Sequence, residues 1–284
     1  MGAWKGRCLL LAQSGHGAMS ESCPLLRAKR KWRGGRSKSA FDLWRSRLAK
    51  ISLFVIIGRD VSMAADHIDF WFTMGSTYSY LSVMRLVELE RSSGIKFCWR
   101  PFHLLVILEE MKHRPFADKP TKSAYMWRDV ERRAAMYGIP ASLPAPYPAK
   151  QSIVANLVAS VGMRQGWGVD FVRAAYRRWL QLGQETGSEP NISDSLRDIG
   201  LEPKPILALA NTADARAALM AQTEVAKDLG IFGSPTFVVG RELFWGDDRL
   251  EDAISWYRHG CVRFSTDASG ALTRDIPEPD SLGG

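Results

Sequence analysis

Apolar and polar positions change period several times along the chain, and each change marks an element. His67-Ile-Asp-Phe-Trp-Phe-Thr73 is short, β-branched and aromatic, which predicts a buried strand. Met74 to Thr77 reads as a turn. Tyr80, Leu81, Met84, Val87 and Leu89 then recur near helical spacing, predicting a helix from Tyr78 to Ser92 that stops before Gly94. Ile95 to Phe102 predicts a second strand, and the β-α-β unit has the size of a parallel crossover. Helical periodicity dominates residues 104–112, 122–137, 152–165, 170–183, 193–199 and 205–229, punctuated by Gly138-Ile-Pro140 and the proline-rich run Pro144–Pro148. Thr236–Gly240 and Glu242–Trp245 read as paired strands around Gly240-Arg241, and Asp248–Tyr257 as a last helix. The order β-α-β, helical block, β-β-α predicts an α/β domain over residues 65–264. A large all-helical insertion at about 104–229 splits it. No internal repeat is visible.

Charge changes the picture only at the N-terminus. The formal net charge of the 284 residues is +8, yet residues 1–64 hold 13 Lys/Arg against Glu21, Asp42 and Asp60, and the remainder is slightly acidic. A nucleic-acid-binding body would carry its basic surface on the folded part, so no nucleic-acid partner is expected. Residues 1–64 read as a basic, disordered extension. Met63-Ala-Ala-Asp-His-Ile-Asp-Phe looks like a natural chain start after translated upstream sequence, with an organelle transit peptide as the alternative. No apolar run reaches membrane-spanning length, so no membrane partner is expected. Cys8, Cys23, Cys98 and Cys261 are scattered without Cys/His spacing for zinc, which predicts free thiols, a reducing cytoplasmic compartment and no metal site. Residues 265–284 are expected to form a loose tail.

Three places could carry chemistry. Gly75-Ser76-Thr77-Tyr78-Ser79 lies between the first strand and its helix, where free N–H groups and the helix dipole favour negative charge. Thioredoxin-type cores hold a reactive thiol there. Ser76 has none, but its hydroxyl can steady a thiolate brought by a ligand, or it can simply cap the helix. Gly233-Ser234-Pro235-Thr236 precedes a strand. With a cis proline, Ser234 would turn its backbone groups toward a peptide-like ligand; otherwise it is an ordinary loop. In Gly246-Asp247-Asp248-Arg249-Leu250-Glu251, one carboxylate could take a ligand ammonium. Equally, Asp248 with Glu251 could form an acidic capping box while Asp247 is solvated.

Taken together, these pieces resemble one family. Asp69-Phe-Trp-Phe with Ser76-Thr-Tyr-Ser-Tyr-Leu81, Trp99-Arg-Pro-Phe102, Lys122–Asp129, Ile231–Phe237 and Phe244–Leu250 form an ordered set. Across His67 to Tyr257 the set is similar to the 2-hydroxychromene-2-carboxylate isomerases and kappa-class glutathione transferases, which are DsbA-like thioredoxin folds with a helical insertion. The resemblance implies glutathione as cofactor, a small aromatic carboxylate substrate and a homodimer. It implies that Ser76 contacts the glutathione sulfur as the catalytic group. Ser234, before a cis Pro235, would hold the cysteinyl backbone. Asp247 and Asp248 would bind the γ-glutamyl end, and Lys122 would lie near a glutathione or substrate carboxylate. Arg100, Tyr125 and His113 are further candidates for the substrate. The implied reaction is reversible thiolate addition and bond rotation, the enzyme supplying stabilisation and positioning rather than its own nucleophile.

Two positions depart from the family pattern. Thr77 stands where proline is common, and His113 stands where an Asn-x-Pro-Pro stretch begins. A kappa-type transferase, or a non-catalytic glutathione-binding protein, would use the same pocket. Direct dithiol exchange through this motif is excluded, because Ser76 and Ser79 occupy the cysteine positions.

Overall fold

The computed structural model describes residues 66–113, 116, 119–266 and 272–274. The expected basic extension and chain start therefore lie outside the described residues. The element order is β1 (Ile68–Phe72), α1 (Thr77–Ser93), β2 (Phe97–Pro101), α2 (Leu104–Glu110), α3 (Pro120–Met136) and α4 (Ser152–Gln165). It continues through α5 (Gly168–Leu182), α6 (Asn191–Asp198), α7 (Pro203–Ala210), α8 (Ala213–Asp228), β3 (Thr236–Val239), β4 (Glu242–Trp245) and α9 (Leu250–His259). Strands β1 to β4 form a sheet in the order β2-β1-β3-β4. β2 runs parallel to β1, whereas β3 is antiparallel to both β1 and β4.

The central place of β1 explains its near-continuous apolar sequence, since it is covered on both faces. Ile68, Phe70 and Phe72 point into the main core with Phe97, Trp99 and Phe237, where they meet residues of α1, α3, α4, α5 and α9. Trp71 points the other way, into a smaller cluster with Phe102, Ile107, Ala226, Ile231 and Val238. Phe70 stacks on Phe72 and Phe237, and its edge meets Trp99 at 5.0 Å. These offset and edge contacts are the arrangements aromatic quadrupoles favour.

Two expectations need correction. The helix expected over 205–229 is two, because Thr212 interrupts it and caps α8 by accepting from the Ala215 N–H at 3.2 Å. The expected loose tail contains a small antiparallel pair, β5 (Phe264–Thr266) and β6 (Leu272–Arg274). Threonine-containing segments on either side of a Gly/Asp/Ser-rich stretch suit such a pair.

Candidate active site

The chain leaves β1 at Thr73 and enters α1 at Thr77, so residues 73–76 must turn sharply. The Ser76 N–H closes this turn on the Thr73 carbonyl at 3.0 Å. Two helices of the insertion fix it from outside. Asn156 of α4 accepts from the Met74 N–H at 2.9 Å and donates to Thr73 Oγ1 at 2.9 Å. The Tyr176 hydroxyl of α5 is bonded to the carbonyls of Thr73 at 2.8 Å and Ser76 at 3.1 Å. Complete burial pushes the Tyr176 phenol far above the ordinary tyrosine range, so it remains a proton donor. Gly187 lets the loop between α5 and α6 pass close by. Its φ is +81°, and a Cβ there would lie 2.0 Å from the Gln151 carbonyl oxygen, just before α4.

Ser76 is the N-cap of α1, its Oγ accepting from the Ser79 N–H at 3.3 Å. The same hydroxyl donates to the Ser234 carbonyl at 2.8 Å. Ser234 Oγ accepts from the Thr73 N–H at 3.0 Å and shares a 2.8 Å hydrogen bond with Ser79 Oγ. Ser76, Ser234 and, from the first turn of α1, Ser79 thus form one connected network at the mouth of α1. The first turn of α1 carries no acidic side chain, so its N–H groups remain favourable to an anion. The Ser234–Pro235 bond is cis. The Pro235 carbonyl accepts from the Gly246 N–H at 2.9 Å, joining this loop to the Asp247 turn. Gly233 is needed because a Cβ there would lie 2.2 Å from Trp245 Nε1.

The Ser234 carbonyl was expected to face a peptide-like ligand, but here it accepts the Ser76 proton. Asp247 departs further from expectation. It is neither solvated nor open to an ammonium group: its side chain is 1 % exposed and lies among cations. Arg133 Nε and Nη2 donate to Asp247 Oδ2 at 3.1 and 2.9 Å, Ser82 donates to Oδ1 at 3.1 Å, and Arg85 Nη1 lies 3.7 Å away. Burial pushes the Asp247 carboxyl up, and Arg85, Arg133 and Ser82 pull it back. The same burial, with the Asp247 charge nearby, pushes the Tyr137 phenol up to about 12. The capping box is also absent in the expected form. Asp247–Arg249 is a 3-10 turn, α9 begins at Leu250, and Glu251 pairs with Arg85 instead. Asp248 is half-exposed beside Arg249 Nη2 at 3.4 Å.

None of the remaining candidates is hydrogen-bonded to the serine network. Lys122 and Tyr125 are exposed near the start of α3, with Lys122 Nζ 5.3 Å from the Phe116 ring centre. Arg100 on β2 is engaged by Asp69, its Nε donating at 2.9 Å, so it is not a free substrate cation. His113 is an exposed residue after α2, its N–H bonded to the Leu108 carbonyl at 2.8 Å. Sequence reading missed Asn156, Tyr176, Arg85 and Arg133. A single asparagine inside the apolar run of α4 was the available signal for the first; the arginines gave none. Among the described residues, the group with metal-ligand chemistry is His67, Asp69 and Cys98, at the other end of β1 from Ser76.

This sheet order, a helix opening directly after β1 and a cis-proline loop facing its N-terminus together define a thioredoxin-like fold. Serines occupy the positions of the cysteine pair. Residues 67–256 match the model of the DSBA-like thioredoxin domain, and the chain belongs to that family. It is 28% identical over 190 residues to a 2-hydroxychromene-2-carboxylate isomerase of Sphingobium xenophagum, covering 65% of this chain and 94% of the relative. It is 26% identical over 225 residues to glutathione S-transferase kappa 1 of Caenorhabditis elegans, covering 76% and 95%. A solved 2-hydroxychromene-2-carboxylate isomerase shares the fold, with a TM-score of 0.59 at 24% identity, covering 64% of this chain and 90% of that one. Among the described residues no helix is long and apolar enough to cross a membrane.

Proposed function

We propose that the chain is a glutathione-dependent isomerase acting on 2-hydroxychromene-2-carboxylate or a similar aromatic intermediate. The observation that carries this reading is the Ser76 hydroxyl, placed at the N-terminus of α1 and bonded to the carbonyl before a cis proline. With serine at 76 and 79, the reactive thiol has to arrive with a ligand. Bound glutathione would supply the thiolate nucleophile that reversible addition to a conjugated carbon requires and that this motif lacks.

The protein's residues do the rest. Ser76 turns its hydroxyl from the Ser234 carbonyl to the sulfur anion, and the N–H groups of α1 add their dipole. The Ser234 carbonyl, released, accepts a backbone N–H of the tripeptide. The γ-glutamyl ammonium falls to Asp248, half-exposed beside Arg249, rather than to Asp247, whose side chain is buried. Lys122 and Tyr125 are assigned to the substrate's carboxylate and phenol groups.

Similarity to a kappa-class glutathione S-transferase over a larger share of the chain supports a second reading, conjugation of glutathione to an electrophile. Turnover of 2-hydroxychromene-2-carboxylate, measured with and without glutathione, separates the two. The expected result is strict glutathione dependence, with Ser76→Ala about 10²-fold slower through loss of one preorganised donor. Turnover without glutathione would refute the reading. Conjugation of a model electrophile with no isomerisation would favour the transferase. Full activity in Ser76→Ala would remove the assigned role of Ser76 alone.

A further inference from the structure

Alternate residues of a strand share a face, so His67 and Asp69, on either side of Ile68, point the same way at the start of β1. The parallel register places Cys98 of β2 directly opposite Asp69. Imidazole, carboxylate and thiol are thereby brought together from two hydrogen-bonded strands of one rigid sheet. One donor atom from each lies within 4.8 Å of the others, and His67 Nε2 is 3.2 Å from Asp69 Oδ1. A tetrahedral set with arms of about 2.0–2.3 Å has its donors roughly 3.5 Å apart, so rotation of the side chains by about 1 Å closes the group.

The surroundings are those of a ligand set. His67 Nδ1 is bonded to the Asp66 carboxylate, which leaves Nε2 directed at Asp69. Metal-binding histidines commonly give their second ring nitrogen to a carboxylate in this way. Arg100 Nε donates to Asp69 Oδ1 at 2.9 Å and fixes the orientation of that carboxylate. The alternative is a surface ion-pair network of Asp66, His67, Asp69 and Arg100 that Cys98 joins through a hydrogen bond to Asp69, but such networks contribute little.

We propose that His67, Asp69 and Cys98 form a binding site for a zinc-class divalent cation, with the fourth position taken by water. Thiolate and imidazole select a borderline-soft ion, whereas magnesium and calcium require six or more oxygen donors. Neutral imidazole, carboxylate and thiolate together carry two negative charges, matching the cation. As the sulfur–metal bond forms, the thiol proton passes to solvent, and no redox change occurs. The site ties β1 to β2 at the end of β1 remote from Ser76, so it stands independently of the glutathione reading.

The test uses the full chain, stripped of metal by a chelator and titrated with cobalt(II), then zinc(II). One equivalent of cobalt is expected to give a thiolate-to-cobalt charge-transfer band that zinc abolishes. Cys98→Ser, nearly isosteric, loses the band, and His67→Ala, at a half-buried position, weakens binding at least about tenfold. A variant with Cys8, Cys23 and Cys261 all replaced by serine keeps the band. Circular dichroism reports that each variant is folded. Absence of the band in the wild-type protein, its survival in Cys98→Ser, or unchanged affinity in His67→Ala would each overturn the proposal.

Discussion

Replacing Asp247 with asparagine separates a structural carboxylate from one that waits for a ligand. The substitution keeps the shape but removes the charge held by Arg133 at 2.9 and 3.1 Å and approached by Arg85 at 3.7 Å. Unit charges about 4 Å apart interact by about 4 kcal/mol at an effective dielectric near 20. Breaking one side of a buried pair costs about 3–5 kcal/mol, because the cation left behind has lost its water. The arginine side chains keep 14 % and 21 % of their surface, so some hydration returns and the lower end applies. Asparagine also presents an amide donor that can face the guanidinium donors. The expected loss is about 3 kcal/mol, read as a lower urea midpoint at unchanged slope, with tryptophan fluorescence as the signal. A loss under about 0.5 kcal/mol, the range of surface substitutions, would refute the structural role. Weakened glutathione binding at unchanged stability would instead return Asp247 to the γ-glutamyl site.

Two further perturbations test the rest of the scaffold. Tyr176→Phe removes the hydroxyl bonded to the Thr73 and Ser76 carbonyls. It should cost about 1–3 kcal/mol in thermal or urea unfolding, because buried acceptors lose their donor; an unchanged midpoint would show that the turn does not depend on α5. Burial holds the half-buried His103 imidazole below its ordinary range. Its contribution to stability is therefore present above the unfolded-state pKa near 6.5 and is lost as pH falls through the depressed folded value. Unfolding midpoints should fall on acidification below about pH 6.5, and His103→Gln should flatten that part of the profile; an identical profile in the variant would refute the assignment.

The elements were legible where one physical cause dominates. β1 is apolar on both faces because it lies between β2 and β3, and that pattern survives in a single strand's sequence. The turns at Ser76 and at Ser234-Pro235 were legible because turn chemistry is local, whereas their roles followed only from the resemblance; the structure brings the Ser76 hydroxyl within 2.8 Å of the Ser234 carbonyl. Asp247 was not, because its environment is made by Arg85 on α1 and Arg133 on α3, which no local pattern links to the acidic turn. Arg100 failed for the same reason: its partner Asp69 is set by the register of β1 and β2. The group His67, Asp69 and Cys98 is likewise a product of register, invisible to a search for closely spaced cysteines and histidines.

On the proposed reading, capping and thiolate stabilisation are compatible at Ser76. A hydroxyl has lone pairs and one proton, and the two roles use different parts of it. The cap uses a lone pair, accepting the Ser79 N–H, while the proton goes to the Ser234 carbonyl. Redirecting that proton to an incoming sulfur leaves the cap intact, so α1 need not fray when the site is used. The cost falls on the Ser234 carbonyl, which loses its donor in a half-buried position and gains by finding another. A peptide-like ligand brings such a donor on its own backbone, whereas a simple thiol does not. On the proposed reading, the network would favour a thiol carried on a peptide over a thiol alone, through the Ser234 carbonyl and without a cysteine in the active-site turn.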